Sequence, residues 1–217
     1  MKKPPRRTAE RILATALDLF NRYGEPNVAT TLIASAMGIS PGNLFYHFPA
    51  KELLVNALFD DYQQEIHQLL PAATEVQDIE HAWFLMHSLF ELIWHHRFLY
   101  RDLNDLLSKN RHLEGAVKGI LQLKQKAFDD MLSGLHAHGL LVQTSTERAY
   151  CSTHMVVVLT WWLSYAYVQN PRHAMEDGNA NHSALSGAQQ VLGLLLPYLK
   201  ERPKGQLQAL IAVYQPE

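Results

Sequence analysis

The sequence predicts an all-α fold, and two patterns carry that expectation. Apolar residues recur at spacings of three and four through almost every segment, and no apolar–polar alternation of the kind a strand needs lasts beyond a few residues. Composition agrees with a packed globule: 47% of the 217 residues are hydrophobic and only 18% are charged, too apolar for a disordered chain.

Taken in order, Thr8 caps a first helix running to Tyr23, with Ile12, Leu13, Ala16, Leu17, Leu19 and Phe20 on one broad face. Gly24 ends it and Pro26 bars continuation. A short helix fits Thr31 to Met37, stopped by Gly38. Ser40-Pro41 opens a third: serine is a good N-cap, and proline at the first helical position loses no hydrogen bond. It runs to about His47, before Pro49. A long amphipathic helix follows from Lys51 to Leu70, near Pro71. Thr74-Glu-Val-Gln77 reads as a capping box opening a fifth helix through His96. Helices are expected at Phe98–Ser108, Arg111–His138 and Thr146–Gln169, and a loop at Asn170–His182. A helix from Ser183 toward Lys200 meets Pro197, which kinks or ends it. The tail after Pro203 carries a short amphipathic pattern: Leu207, Leu210, Ile211, Tyr214.

Charge is unevenly placed. Residues 1–51 hold seven Lys or Arg (Lys2, Lys3, Arg6, Arg7, Arg11, Arg22, Lys51) against three acids (Glu10, Asp18, Glu25), and the remainder is acidic. A small basic head on an acidic body suits a module that contacts phosphates. The single cysteine, Cys151, excludes an internal disulfide framework and a cysteine-rich zinc site, and its apolar surroundings point to a buried small hydrophobe. No apolar stretch of signal-peptide type follows the basic start, so the expected location is cytoplasmic.

Residues 30–54 read Thr-Thr-Leu-Ile-Ala-Ser-Ala-Met-Gly-Ile-Ser-Pro-Gly-Asn-Leu-Phe-Tyr-His-Phe-Pro-Ala-Lys-Glu-Leu-Leu. Two short helices around a glycine turn make a helix-turn-helix. Ile33, Ala34, Met37, Ile39, Leu44 and Phe48 supply its inward side. Thr31, Ser40, Pro41, Gly42, Asn43, Phe45, Tyr46 and His47 remain outside, gathered at a helix start that can enter the major groove. The string Gly-Ile-Ser-Pro-Gly-Asn-Leu-Phe-Tyr-His-Phe followed by Lys51-Glu52 strongly resembles the head of the TetR family of bacterial regulators, over roughly residues 8–60. The resemblance implies that Thr31, Asn43 and Phe45 face bases and that Pro41 and Gly42 lie against the groove. It also implies that Thr30, Tyr46, His47 and Lys51 contact phosphates. Phe45 stands where many relatives have tyrosine, which favours a thymine methyl over a hydroxyl contact. Ala29 and Ala50 stand where good N-caps are usual, so the head is expected to be somewhat soft. Arg6 and Arg7 reach the backbone or minor groove, or stay solvated.

The resemblance further implies that the rest of the chain is an all-helical domain that dimerises and encloses an effector pocket, giving domains at 1–50 and 51–217. The residues bear on this independently. Cys151–Val168 contains no Asp, Glu, Lys or Arg and is apolar around the whole helix, which predicts burial on every side, against a pocket and a second subunit. Ser152, Thr153, His154, Thr160 and Ser164 make it a poor membrane span. The interface expected is Val157, Trp161, Tyr165 and Val168 with Leu185, Gln189, Leu192 and Leu196, in a two-fold four-helix bundle. Candidate pocket residues are Trp83, Met86, Phe90, Trp94, Phe98, Leu103, Leu107, Phe128, Met131, Met155, Leu159 and Trp162, and their aromatic and Met content suits an apolar or aromatic effector. Ring faces could also take a cation. His87, Glu91 and His95 share one helical face, read as a solvated or interface stripe with no metal, and Arg101, Asp102, Asn104 and Asp105 are read as ties between helices.

The functional expectation is a homodimeric repressor that binds a palindromic double-stranded operator and is released by a small effector. The alternative is a DNA-binding regulator with a closed core, answering to a protein or to nothing. Neither a phosphate loop, a nucleophile elbow nor a His-Glu-x-x-His string is present, so no enzyme, catalytic residue or cofactor is expected.

Overall fold

A computed structural model describes residues 5–213; Lys2, Lys3, the side chain of Arg6 and Tyr214 lie outside the described residues. Its helices are α1 (Pro5–Tyr23), α2 (Thr30–Ala36), α3 (Pro41–His47), α4 (Lys51–Leu69), α5 (Ile79–His95), α6 (Arg97–Arg101), α7 (Leu103–Lys109), α8 (Arg111–Ala137), α9 (Ser145–Gln169), α10 (Ala180–Gly193) and α11 (Glu201–Val213). The all-α expectation holds: β-structure among the described residues is a single bridge, Leu141 with Leu199. The chain forms two compact units, one of residues up to Gln64 with His96–Ala116, the other of Glu65–His95 with residues from Val117 on. Where a boundary at residue 50 was expected, Lys51–Gln64 and His96–Ala116 thus group with the head. Helices α4 and α8 each contribute to both units.

In the first unit, α1 buries Ile12, Ala16, Leu19 and Phe20, a four-three-one spacing that keeps one face apolar. It starts at Pro5, ahead of the expected Thr8 cap. Gly24 ends it at φ 86°, a backbone conformation that calls for glycine, and a Cβ there would displace the Arg101 guanidinium. The segment expected as one helix, Phe98–Ser108, is two, broken at Asp102. The reason is a network. Asp102 Oδ2 accepts the Glu25 N–H at 2.9 Å, and its Oδ1 accepts from Arg101 Nε at 3.2 Å. Nearby, buried Asn21 Oδ1 accepts the Phe98 N–H at 3.1 Å, and the Phe20 and Phe98 rings lie 5.4 Å apart. Arg101 and Asp102 therefore tie helices, as expected. The buried Tyr62 and Tyr100 hydroxyls bond to each other, joining α4 to α6; burial pushes both phenols well above the usual tyrosine range. Asn110 Oδ1 caps α8 through His112 N–H and Leu113 N–H, while its amide reaches Asn56 Oδ1 at 2.7 Å.

In the second unit, the expected capping box at Thr74–Gln77 does not form. Thr74 instead donates to Pro71 O inside a 3₁₀ turn, Leu70–Glu75, and Asp78 Oδ1 caps α5 by accepting the His81 N–H at 2.8 Å. Helix α5 buries ten side chains, from Ile79 to Trp94, so it is central to this unit. It packs on α10, where Gly187 leaves room for the Phe90 ring. A true capping box opens α9: Thr144 Oγ1 accepts the Glu147 N–H at 3.2 Å and Glu147 Oε2 accepts the Thr144 N–H at 2.7 Å. Gln125 to Ser152 (2.5 Å) and Arg148 to Asp129 (3.2 Å) run α8 and α9 antiparallel. The expected helix Ser183–Lys200 begins earlier, at Ala180, and ends at Gly193, giving way to turns around Pro197. Cys151 is buried, and burial raises its thiol pKa, as suits a small core residue.

Candidate nucleic-acid interface

The exposed end of α3 is built from three local devices. Helix α2 closes with Gly38 at φ 65°, where the Gly38 N–H meets Ser35 O and the Ile39 N–H meets Ala34 O, both at 3.0 Å. This paired ending needs glycine and turns the chain sharply. Ser40 then caps α3, its Oγ accepting the Asn43 N–H at 3.2 Å, with Pro41 at the first helical position. Finally, Ile33, Ala34 and Leu44 are fully buried where α2 packs on α1 and α3 packs on α2, with Met37, Ile39 and Phe48 half-buried around them.

The remaining side chains of α3 point outward. Pro41, Gly42 and Asn43 are exposed, and so are Phe45 at 47% and Tyr46 at 79%. Two aromatics left in water beside a fully buried Leu44 are a surface in want of a partner. Thr31 and Ser40 are exposed alongside, whereas Thr30 and His47 are half-buried, the His47 ring edge-on to Tyr46 at 5.2 Å. A Cβ added at Gly42 would meet only Ser40 Oγ, at 4.0 Å, so nothing inside the chain demands glycine there. Arg7 and Arg11 are exposed on α1. As expected from Ala29, no side chain caps α2.

Lys51 is placed differently from its neighbours. Its Nζ donates to Glu25 O at 2.6 Å, pairs with Glu25 Oε1 at 2.8 Å and lies 5.9 Å from the centre of the Phe20 ring. Any phosphate would have to compete with that carboxylate. The sequence offered no signal for this Glu25–Lys51–Asp102 cluster, because it joins residues far apart in the chain.

Of the candidate pocket residues, Trp83, Met86, Phe90, Trp94, Phe128, Met131, Met155, Leu159 and Trp162 belong to the second unit, and all but half-buried Trp162 are buried. Buried Phe98 and half-buried Leu103 and Leu107 belong to the first. Of the candidate interface residues, Val157, Trp161, Tyr165 and Val168 are 48%, 39%, 56% and 75% exposed, so α9 is not covered all round. Its buried side is Cys151, Ser152, Met155, Val156, Leu159, Thr160 and Leu163. Exposed Tyr150 and His154 extend the same stripe by one turn each. Leu185, Gln189 and Leu196 are half-buried, and Gln189 donates to Ile211 O at 3.2 Å. Leu192 is 1% exposed, packed within its own chain, and offers nothing to a second one. In the histidine stripe, His87 pairs with Glu91 at 3.5 Å.

Residues 12–58 match the bacterial regulatory proteins of the tetR family, and residues 61–207 match the family described as TetR, bacterial transcriptional repressor. A TetR-family transcriptional regulator of Marinobacter aquaeolei is similar over the whole of both chains, at 28% identity and a TM-score of 0.81. A gamma-butyrolactone receptor aligns over 97% of each chain at 16% identity and a TM-score of 0.67. A regulator of Saccharomonospora viridis, solved with choline, covers 90% of this chain and 99% of its own at 16% identity and a TM-score of 0.66. The last two likenesses concern the fold alone.

Proposed function

Because the chain belongs to the TetR family of DNA-binding bacterial transcriptional regulators, we propose that it is a homodimeric repressor which reads a palindromic operator and leaves it when a small effector binds. The observation that carries this reading is the outward face of α3. Asn43 offers a bidentate amide and Thr31 a hydroxyl for base edges, Phe45 a flat apolar contact for a thymine methyl, and Tyr46 a hydroxyl for phosphates. Gly42 and Pro41 keep the approach low, and the room left at Gly42 favours a constraint from outside the chain.

Dimerisation is supported by the stripe Val157, Trp161, Tyr165 and Val168, spaced four, four and three along α9, which is the spacing of a helix–helix seam. A two-fold dimer places two α3 helices for two half-sites. The effector is supported by the aromatic and Met-rich core of the second unit and by relatives of the same fold that hold choline or are named for a butyrolactone. Effector binding would act by shifting α4, which carries residues of both units, and so changing the spacing of the two heads. No helix among the described residues is long and apolar enough to cross a membrane.

Fluorescence anisotropy on a selected duplex at two salt concentrations tests the assignment. Tyr46→Ala should weaken binding about tenfold at both salt concentrations and leave the salt slope unchanged, because a neutral phenol displaces no counterion. Unaltered binding would contradict the role given to α3.

A further inference from the structure

We propose that Lys51 serves operator recognition as a positioning residue, clamping the start of α4 to the turn after α1 through Glu25, and not as a phosphate contact. This role rests on the reading of α3 as the helix that meets the operator, and adds what holds that helix in place. Lys51 Nζ meets the same residue twice: it donates to Glu25 O at 2.6 Å and pairs with Glu25 Oε1 at 2.8 Å. The two side chains are only 27% and 15% exposed, so solvent and salt screen this pair less than a surface pair. A carboxylate so close cancels most of the ammonium's field at a distance. Lysines that bind phosphate gain affinity by releasing counterions from DNA, and a lysine already neutralised releases few.

Glu25 is itself held from the other side. Its N–H goes to Asp102 Oδ2 at 2.9 Å, and Asp102 Oδ1 accepts from Arg101 Nε at 3.2 Å. The amide, carbonyl and carboxylate of Glu25 are therefore all engaged, and Val28, just past its 3₁₀ turn Glu25–Asn27, is fully buried. The ammonium also lies 5.9 Å from the centre of the buried Phe20 ring on α1. Only Phe48, Pro49 and Ala50 separate the end of α3 from Lys51. Ala50 has no side-chain acceptor with which to cap α4, so the polar anchor of that first turn is Lys51. The Ser40 cap thus fixes one end of α3, and the Lys51–Glu25 clamp fixes the chain leaving the other. Such a clamp sets the angle at which Asn43 and Phe45 are presented. Base edges demand that angle, whereas attraction to the phosphate backbone carries no sequence information and tolerates a tilt.

Affinities of the full chain for a duplex selected from a random pool and for a scrambled duplex of the same composition, each across a salt series, test the clamp. The variants are Glu25→Gln and the double variant Glu25→Gln with Lys51→Met, which leaves the net charge of the head unchanged. The double variant should lose about tenfold on the selected duplex and under about twofold on the scrambled one, with the salt slope of the wild type. Glu25→Gln, which keeps the carbonyl bond, should lose about threefold on the selected duplex alone. A phosphate contact gives the opposite pattern. Glu25→Gln would free the ammonium and tighten both duplexes, and the double variant would weaken on both, with a slope lower by about one. Either of those results overturns the clamp and leaves operator reading by α3 standing. Unaltered discrimination between the duplexes, even with a lower Tm, also overturns it, because a merely structural pair would lower stability without changing which sequence is preferred. If the double variant does not fold, Glu25→Gln decides the matter on the same terms. A wild type that prefers neither duplex overturns the clamp and the operator reading together.

Discussion

Helices α3 and α9 both leave aromatic side chains in water, and they do so for different chemistry. On α3 the exposed set is Asn43, Phe45 and Tyr46, flat or hydrogen-bonding groups on a helix of seven residues pinned by a buried Leu44. On α9 it is Val157, Trp161, Tyr165 and Val168, a mostly apolar stripe on a helix of 25 residues. The first set suits base edges and phosphates, whose affinity comes from polar contacts. The second suits a surface like itself, where burying apolar area is the gain. Exposure alone therefore does not identify a partner; the polarity of what is exposed does.

The comparison breaks most visibly if charge is placed on the α9 stripe. Trp161→Glu with Tyr165→Glu should raise the dimer dissociation constant about a thousandfold, read by sedimentation, and operator affinity should fall with it. A variant that stays dimeric would move the interface off α9. On the other helix, Asn43→Ala should cost about 10- to 100-fold in operator affinity and leave both Tm and dimerisation unchanged. The two substitutions should thus separate cleanly, one abolishing pairing and the other only reading.

A third change sharpens how the head is held. Asp102→Ala removes the acceptor of the Glu25 N–H and the partner of Arg101, and should destabilise the protein by about 1–3 kcal/mol in chemical denaturation. If stability were unchanged, the Asp102 network would be incidental. The smallest effect concerns the start of α9. Thr144→Ala breaks the capping box and should lower Tm by about 2–4 °C. The Thr144 N–H and hydroxyl hold the Glu147 carboxyl below its ordinary value. Its contribution is therefore present above the unfolded-state carboxylate pKa and lost as pH falls through the lower folded one. The difference between wild type and variant should shrink on acidification, and a difference independent of pH would argue against the box.

Much of the reading head was legible because its determinants are local. Gly24, Gly38 and Ser40-Pro41 each act within a few residues, and α3 starts at Pro41 as that pair of residues implies. The boundaries of α8 and α9 were also close, since long periodic stretches leave little choice. What the sequence hid is what depends on distant partners. The break at Asp102 follows from its bond to Glu25, far upstream, and no helical periodicity encodes it. The Thr74–Gln77 box lost to a 3₁₀ turn around Pro71, with Asp78 taking over the cap, while the box at Thr144–Glu147 sat unnoticed, opening two residues before the expected start. Lys124 looks like an ordinary surface residue in the sequence; only packing reveals it as buried. Leu192 and the half-covered α9 show the converse, since which apolar residues stay outside is decided by tertiary contacts.

The central claim is that α3 reads DNA as one half of a two-fold pair. Selection of bound sequences from a random duplex pool by the full chain tests it most directly. The account expects a palindromic consensus whose half-sites are about one helical turn apart or a multiple of it, with the preference at specific half-site positions relaxed in Asn43→Ala. A pool with no enrichment, a lone half-site, or a consensus that Asn43→Ala leaves untouched would contradict it.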